Sequence, residues 1–290
     1  MYELIVALAF AATLSWLAVD TLSKSYVRKL DKERASAYVL LFGILPMLAF
    51  AAFFYAPSAN LPLLIAYSVA AGVFLFMGYL LIYMSVSTSG IANSYMLLEI
   101  QPPLLICFAL LAEHERLSNI QAASMALIFI GAFFIITNIG KGLKLNRLLL
   151  PSLLGNASWA VYWMLLIEAM RYGNFATPLL VARLAAAAFG VVYLEAGGKR
   201  AKPERKGMPR HALLMAMLIV LAAGLLDGLG NVFFAVVAYG KNVAIGSAIF
   251  SMEPILIWLI GVLAYKEHTT ASQKLGFAIA TIGYVALSLA

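Results

Sequence analysis

Charged residues are scarce in this chain. Of its 290 residues, 64% are hydrophobic and 11% are charged, whereas a soluble domain carries about 25% charged residues. So little charge cannot cover a soluble surface, and the composition therefore predicts an integral membrane protein. The formal net charge of +7 comes from basic residues in the connectors between apolar runs, so we expect no nucleic-acid partner.

Cysteine and histidine are also rare. The lone Cys107 excludes an intrachain disulfide, and the three histidines lie far apart at predicted span ends: His114, His211 and His268. A membrane-embedded enzyme would need such residues, or carboxylates, clustered at one depth. The segment Gly140–Lys144 is not a phosphate loop, because no strand precedes it and no Lys-Ser/Thr follows at the required spacing. We expect no enzyme activity, no metal and no cofactor.

The chain consists mainly of long apolar runs. Ten runs approach the length that crosses about 30 Å of hydrocarbon. They lie at about residues 3–26, 36–56, 62–84, 90–111, 119–139, 148–170, 175–195, 211–239, 243–264 and 271–290. The pattern predicts an all-α integral membrane fold with ten transmembrane helices. The start lacks a basic n-region and a cleavage site, so we expect a retained first helix.

The stretch from Gly72 to Gly131 recurs 152 positions later, from Gly224 to Gly283. Residues that a generic apolar helix would not repeat are shared by both copies: Gly78 with Gly230, Pro102 with Pro254, Glu115 with Glu267, and Gln121 with Gln273. Ser15-Trp16 is echoed more weakly by Ser158-Trp159. Because each copy has an odd number of spans, the second enters the membrane upside down. We predict two inverted five-helix repeats, 1–144 and 145–290, with the geometry of alternating access.

Basic connector residues predict the orientation. Counted over alternate connectors, fourteen Lys and Arg residues lie on one side and three, Arg116, Arg171 and Lys241, on the other. Basic connectors face the cytoplasm. This count predicts a multi-pass protein of the plasma membrane with both termini outside.

Several segments resemble the EamA family of the drug/metabolite transporter superfamily. The resemblance rests on the first span LSWLAVDTLSK, Arg183 in LLVARLAAAAFG, the paired turns AEHERLSNIQ and AYKEHTTASQKLG, and the proline-containing helix MEPILIWLIGVLAYKEH. The resemblance covers essentially the whole chain. It implies a ten-helix basket around a central cavity, the fifth and tenth helices at its edge, and transport of small metabolites such as amino acids. Members commonly keep both termini in the cytoplasm, the reverse of the charge count here.

Ionisable residues within predicted spans are the first candidates for a transport site, because each costs about 3 kcal/mol on insertion scales. Glu99 and Asp227 lie deepest, and neither is repeated: Ser251 and Leu75 occupy the matching positions. We predict that they bind a proton or substrate. Glu253 precedes Pro254, where a helix loses a backbone donor, so function and a structural bend are both open.

Arg183 is predicted to be a structural ion-pair partner or a clamp for a substrate carboxylate. Asp20 and Glu168 lie nearer span ends, where we expect interfacial solvation. Lys24 is expected to snorkel to the basic side. We expect the turn residues Glu115 and Glu267 to serve as caps and interfacial charges.

Aromatic and amide side chains form a second set of candidates. The pair Trp159 and Trp163, one helical turn apart, is predicted to form a wall of the site with Asn156. Further candidates share spans with the acids: Tyr79, Tyr83, Tyr95 and Asn231. An aromatic wall with carboxylates suits an ammonium group, which favours an amino acid or an organic amine as the substrate.

The sequence as a whole predicts a secondary transporter of a small polar or cationic metabolite, proton-linked and exporting. A facilitative exchanger without proton coupling, and a membrane scaffold with no transport, are the alternatives. The predicted partners are the small-molecule substrate and the lipid bilayer. A homodimer through the edge helices stays open.

Overall fold

The structure is a computed structural model that describes residues 2–101, 104, 118–138, 144–145, 147–196, 209–239, 249–250 and 252–288. Almost all of this is helix. The first half contains α1 (Tyr2–Leu30), α2 (Lys32–Phe42), α3 (Ile44–Phe54), α4 (Leu61–Ser89), α5 (Ile91–Tyr95), a 3-10 helix (Met96–Ile100) and α6 (Asn119–Ile136). The second half contains α7 (Leu150–Met170), α8 (Ala176–Ala196), α9 (Arg210–Tyr239), α10 (Met252–Leu263) and α11 (Ala271–Ser288). The strands β1 (Thr137–Asn138) and β2 (Lys144–Leu145) pair antiparallel between the halves.

Seven helical segments are long and apolar enough to cross a membrane. They are Glu3–Leu30, Lys32–Phe54, Leu61–Ser89, Asn119–Ile136, Leu150–Met170, Ala176–Ala196 and Arg210–Tyr239. Each coincides with a predicted span. The predicted fourth and ninth spans are only partly described, through α5 and the 3-10 helix and through the shorter apolar helix α10. The multi-pass helical membrane fold is confirmed, and the count of ten crossings stays a prediction.

Contacts between the two halves come in matched pairs. Helix α1 packs along α9, and α4 packs along α7. Helix α4 also contacts α8, while α9 contacts α2 and α3. The repeat equates α7 with α1 and α9 with α4, so each of these contacts has a counterpart in the other half. Two copies related by a twofold axis are expected to pack in this reciprocal way.

Two repeated glycines allow close approaches in the α4–α7 and α1–α9 contacts. A Cβ atom at Gly78 of α4 would lie 2.3 Å from Cδ1 of Trp159 in α7, and one at Gly230 of α9 would lie 2.9 Å from Nε1 of Trp16 in α1. In both places an indole ring of one half lies against backbone of the other. This explains why the glycine at this position occurs in both copies.

Capping boxes explain another repeated pair, Gln121 and Gln273. The Ser118 hydroxyl accepts from the Gln121 amide at 3.2 Å, and the Gln121 side chain accepts from the Ser118 amide at 3.0 Å. Thr270 and Gln273 make the same exchange at 3.2 and 2.8 Å before α11. Each box satisfies otherwise unpaired donors at a helix start. Helices α6 and α11 then pack on each other.

Candidate functional site

A central cavity of about 90 Å³ lies between the two halves. Its lining comes from α1, α4, α7, α9, α10, α11 and the 3-10 helix, together with Gln101 and Phe250. Three carboxylate side chains, Asp20, Asp227 and Glu253, line it, and the rest of the lining is aromatic, aliphatic or amide. A water needs about 10–15 Å³ on this scale, so the cavity holds a few waters or a small ligand group.

Asp227 is the centre of a hydrogen-bonded polar cluster on α9. Its carboxylate accepts from the Arg183 guanidinium of α8 and from the Tyr79 hydroxyl of α4. Asn231, one turn further along α9, donates to the same carboxylate at 3.1 Å and to the Asp227 carbonyl at 2.8 Å. Tyr162 of α7 donates to the Asn231 side-chain oxygen at 3.0 Å. The cluster therefore joins α4, α7, α8 and α9.

Arg183 lies behind Asp227 and does not belong to the cavity lining, and both side chains are completely buried. A buried charge is tolerated when it is paired and hydrogen-bonded. The Asp227 carboxylate meets that condition, whereas Nε and Nη1 of Arg183 have no hydrogen-bond partner among the described residues. The pair brings no net charge to the cavity. Two roles were predicted for Arg183, a structural ion pair and a clamp for a substrate carboxylate. The structure contains the ion pair.

Asp20 and Glu253 face each other across the cavity from α1 and α10. Asp20 is 5% exposed and Glu253 1% exposed. The two carboxyl groups act on each other electrostatically, and Tyr95 of α5 acts on Asp20 as well. Neither oxygen of Glu253 makes a hydrogen bond with any part of the chain that the structure describes. This carboxyl pair is therefore built quite differently from Asp227.

The expectation that Asp20 is solvated at an interface is wrong. Helix α1 runs on to Leu30, beyond the predicted end of the first span near residue 26, so Asp20 lies deeper than its position in the apolar run indicates. Lys24 lies one turn further on in the same helix. Its ammonium group lies 2.5 Å from Glu267, in the connector of Lys266 that the charge count assigns to the basic side.

Glu267 connects three segments at this end of the molecule. Its carboxylate accepts from the amides of Ile91 at 3.1 Å and Ala92 at 2.7 Å, and so caps α5, while it also binds Lys24 of α1. The expected capping role is confirmed, but the side chain is only 7% exposed and is no surface charge. The Lys24 nitrogen lies 4.6 Å from the centroid of the Tyr265 ring. Burial and the Glu267 carboxylate raise the pKa of Tyr265, so its hydroxyl stays neutral.

Aromatic rings form much of the remaining lining. Trp16 packs against Phe234 and Phe250 with ring centroids 5.4 Å apart in each case, and Trp163 lies 4.8 Å from Phe234. Trp159 packs edge-on to Tyr79 at 5.3 Å. Both tryptophans of the predicted wall, Trp159 and Trp163, therefore line the cavity.

Other predicted site residues lie behind the lining. Tyr83, Tyr95 and Asn156 are completely buried. The Tyr83 and Tyr26 hydroxyls are 2.6 Å apart, and Asn156 accepts from Gln101 at 3.0 Å. The backbone of Glu99 lies in the 3-10 helix, but its side chain is outside the described residues. Glu115 and His114 also lie outside them.

Gln101 lines the cavity although the sequence did not single it out. The repeat held the necessary signal, because Gln101 precedes Pro102 as Glu253 precedes Pro254. In three matched pairs of lining residues only one member is an acid: Asp20 with Trp163, Asp227 with Leu75, and Glu253 with Gln101. We call the first members the acidic wall (Asp20, Asp227, Glu253) and the second members the neutral wall (Trp163, Leu75, Gln101).

Metal binding finds no support within the described residues, where no group of three His, Cys, Asp or Glu side chains could hold an ion. His211 and His268 are exposed near helix starts.

Comparisons with known proteins agree with the whole-chain resemblance. The family model described as EamA-like transporter family matches residues 3–137 and again residues 148–289. A crystal structure described simply as that of a protein has the same fold, with a TM-score of 0.62 and 18% identity over 98% of this chain and 96% of that one. No curated protein is significantly similar to the chain.

Proposed function

Since the chain belongs to the EamA-like transporter family and is therefore a multi-pass membrane transporter, we propose that it moves a small cationic or polar metabolite through the central cavity by alternating access. Transport is secondary and coupled to protons, and in the plasma membrane it runs outward. The observation that carries this proposal is the small cavity between the two halves, lined by aromatic rings and by three carboxylates, of which Asp227 is paired with Arg183.

The lining supports an organic amine better than a zwitterionic amino acid. Its described side chains include Asp20 and Glu253 but no Lys or Arg, since Arg183 lies behind Asp227. An amine finds carboxylates and aromatic faces here, while the carboxylate of an amino acid would find no cation exposed to the cavity. Attraction between cations and aromatic rings contributes about 0.5–2 kcal/mol in such sites.

Reciprocal packing of the halves supports alternating access. The matched contacts of α1 with α9 and of α4 with α7 provide two equivalent sliding surfaces around one site. Two inverted copies can tilt in either of two equivalent ways, opening the shared cavity to one side at a time. The repeat boundary between residues 144 and 145, and termini on the outside, remain part of this proposal.

Transport into liposomes tests the proposal. Purified protein is reconstituted without nucleotide, and uptake of labelled organic amines and amino acids is measured with and without an imposed pH gradient. We expect uptake of an amine that responds to the gradient. Ile167→Trp places an indole in the cavity lining and should abolish uptake, whereas Ile65→Trp at a lipid-facing position, 42% exposed, should leave it intact.

Folding of both variants is checked by size-exclusion chromatography, and Ile167→Phe is used if the larger side chain prevents folding. Counterflow without proton movement would favour the facilitative exchanger. If no compound is transported, or if folded Ile167→Trp transports like the unaltered protein, the proposed function is wrong.

A further inference from the structure

Glu253 is a buried acid that lacks a hydrogen-bond partner within the described structure. It lies in the first turn of α10, lines the cavity and is 1% exposed, yet both its carboxyl oxygens are without a described hydrogen-bond partner. Leaving a buried polar group unpaired costs about 1–3 kcal/mol, and more when the group is charged. A ligand or a proton that binds this carboxyl group would remove that cost.

Asp20 is the neighbour that decides the nature of this ligand. Both carboxyl groups line the same small cavity and act on each other electrostatically, and two like charges in one small cavity of low dielectric do not both ionise unless a cation joins them. The ionisable groups that face the pair from the surrounding elements are Tyr26 of α1, Tyr79 of α4, Tyr95 of α5, Asp227 of α9 and, in the cavity lining, Tyr284 of α11. None of these is basic, and Arg183 is bound to Asp227.

Aromatic rings complete the surroundings of the pair. Trp16 lies one helical turn before Asp20, and Phe250 lies three residues before Glu253. These rings pack on each other with centroids 5.4 Å apart, and both line the cavity together with Phe234. The negative faces of aromatic rings attract organic cations. Carboxylates flanked by such rings suit an ammonium group better than an inorganic ion, which prefers a full shell of oxygen ligands.

We propose that Asp20 and Glu253 form one exchangeable cation site, for which a proton and a small organic ammonium group compete. In the empty cavity the two carboxyl groups hold the proton. When the ammonium enters, a carboxyl O–H bond breaks, the proton passes to water, and the ammonium N–H groups donate to the freed oxygens. The net charge of the cavity is the same before and after. This inference rests on the proposed function and identifies its substrate class, and it excludes Asp227 from the exchange.

Infrared difference spectroscopy on the full-length protein in liposomes tests the proton-binding state directly. We expect a carbonyl band of a protonated carboxylic acid near neutral pH, lost in Glu253→Gln and in Asp20→Asn. Glu168→Gln is the matched control, since Glu168 pairs with Arg171 at 3.2 Å near the end of α7, and it should keep the band. Glu253→Asp should retain a titrating band, which separates lost chemistry from lost folding. Absence of the band, or its persistence in both neutral variants, overturns the proposal.

Methylammonium chloride is the probe for competition. Its addition should reduce the band and release protons into a weakly buffered medium, while sodium chloride at equal concentration should not. An unchanged band with methylammonium would overturn the exchange. The readout needs no transport, so a titrating pair in a protein that moves nothing would defeat only the proposed function, and transport without the band would defeat only this inference.

Discussion

The acidic wall and the neutral wall occupy matched positions and differ in chemistry. Asp20, Asp227 and Glu253 face the cavity on one wall, where the other presents Trp163, Leu75 and Gln101. Duplication explains why all six positions line the cavity. Only later substitution explains why the acids lie on one wall alone. The frame of the site is therefore symmetric, but its ability to attract a cation is not.

A second difference lies within the acidic wall. Asp227 is held by an arginine, a tyrosine and an asparagine, whereas Glu253 has no hydrogen-bond partner among the described residues. We therefore expect the paired acid to stabilise the fold and the unpaired acid to bind the ligand. The depth of an acid in the membrane does not by itself distinguish these roles; its partners do.

Breaking the Asp227–Arg183 pair should have the largest effect on stability. Removing one partner of a buried ion pair leaves an uncompensated charge and costs about 3–5 kcal/mol. We expect Asp227→Asn and Arg183→Gln each to lower the thermal unfolding temperature strongly, and the double variant to recover part of the loss. Asp20→Asn should leave stability nearly unchanged, because the new amide can donate a hydrogen bond to Glu253 as the shared proton does.

Glu168→Gln is the control for that comparison, since its partner Arg171 is 53% exposed and such pairs contribute about 0–1 kcal/mol. If Asp227→Asn is no more harmful than Glu168→Gln, the structural role of the buried pair is refuted. If Asp20→Asn proves as damaging as Asp227→Asn, the distinction within the acidic wall fails.

The sequence predicted the helical membrane fold, because apolar runs follow from local pattern, and it predicted six of the sixteen described residues that line the cavity. It placed Asp20 wrongly, since the end of an apolar run is not the end of a helix, and α1 continues through Arg28 and Lys29. It could not choose the partner of Arg183 among several acids, because only the packing of α8 against α9 brings Asp227 to it. Gln101 was missed as an uncharged residue, although its repeat partner Glu253 was found.

The contacts of Glu267 allow the two halves to be compared at one end of the molecule as well. Lys24 lies on α1, as Asp20 of the acidic wall does, and the uncharged Ile167 occupies its matched position in α7. Glu267→Gln should weaken three charge-assisted hydrogen bonds, of which each contributes about 1.5–3 kcal/mol. We expect faster hydrogen exchange at the amides of Ile91 and Ala92, measured by mass spectrometry.

Glu33→Gln is the matched control for this end, because the Lys32–Glu33 pair at 3.0 Å is about one third exposed and should matter little. Unchanged exchange at the start of α5 in Glu267→Gln would show that this carboxylate does not hold the helix.

The two indole contacts give the finest test of how far the walls remain equivalent. Adding a methyl group to a tight interface costs about 1–3 kcal/mol. Gly78→Ala meets Trp159 at 2.3 Å, whereas Gly230→Ala meets Trp16 at 2.9 Å, so the first should be the more destabilising in thermal unfolding. The Trp16 ring is also held by Phe234 and Phe250, and this support reduces the difference expected between the two variants. Equal losses would mean that the aromatic frame has kept its twofold symmetry, and that the walls have diverged in charge alone.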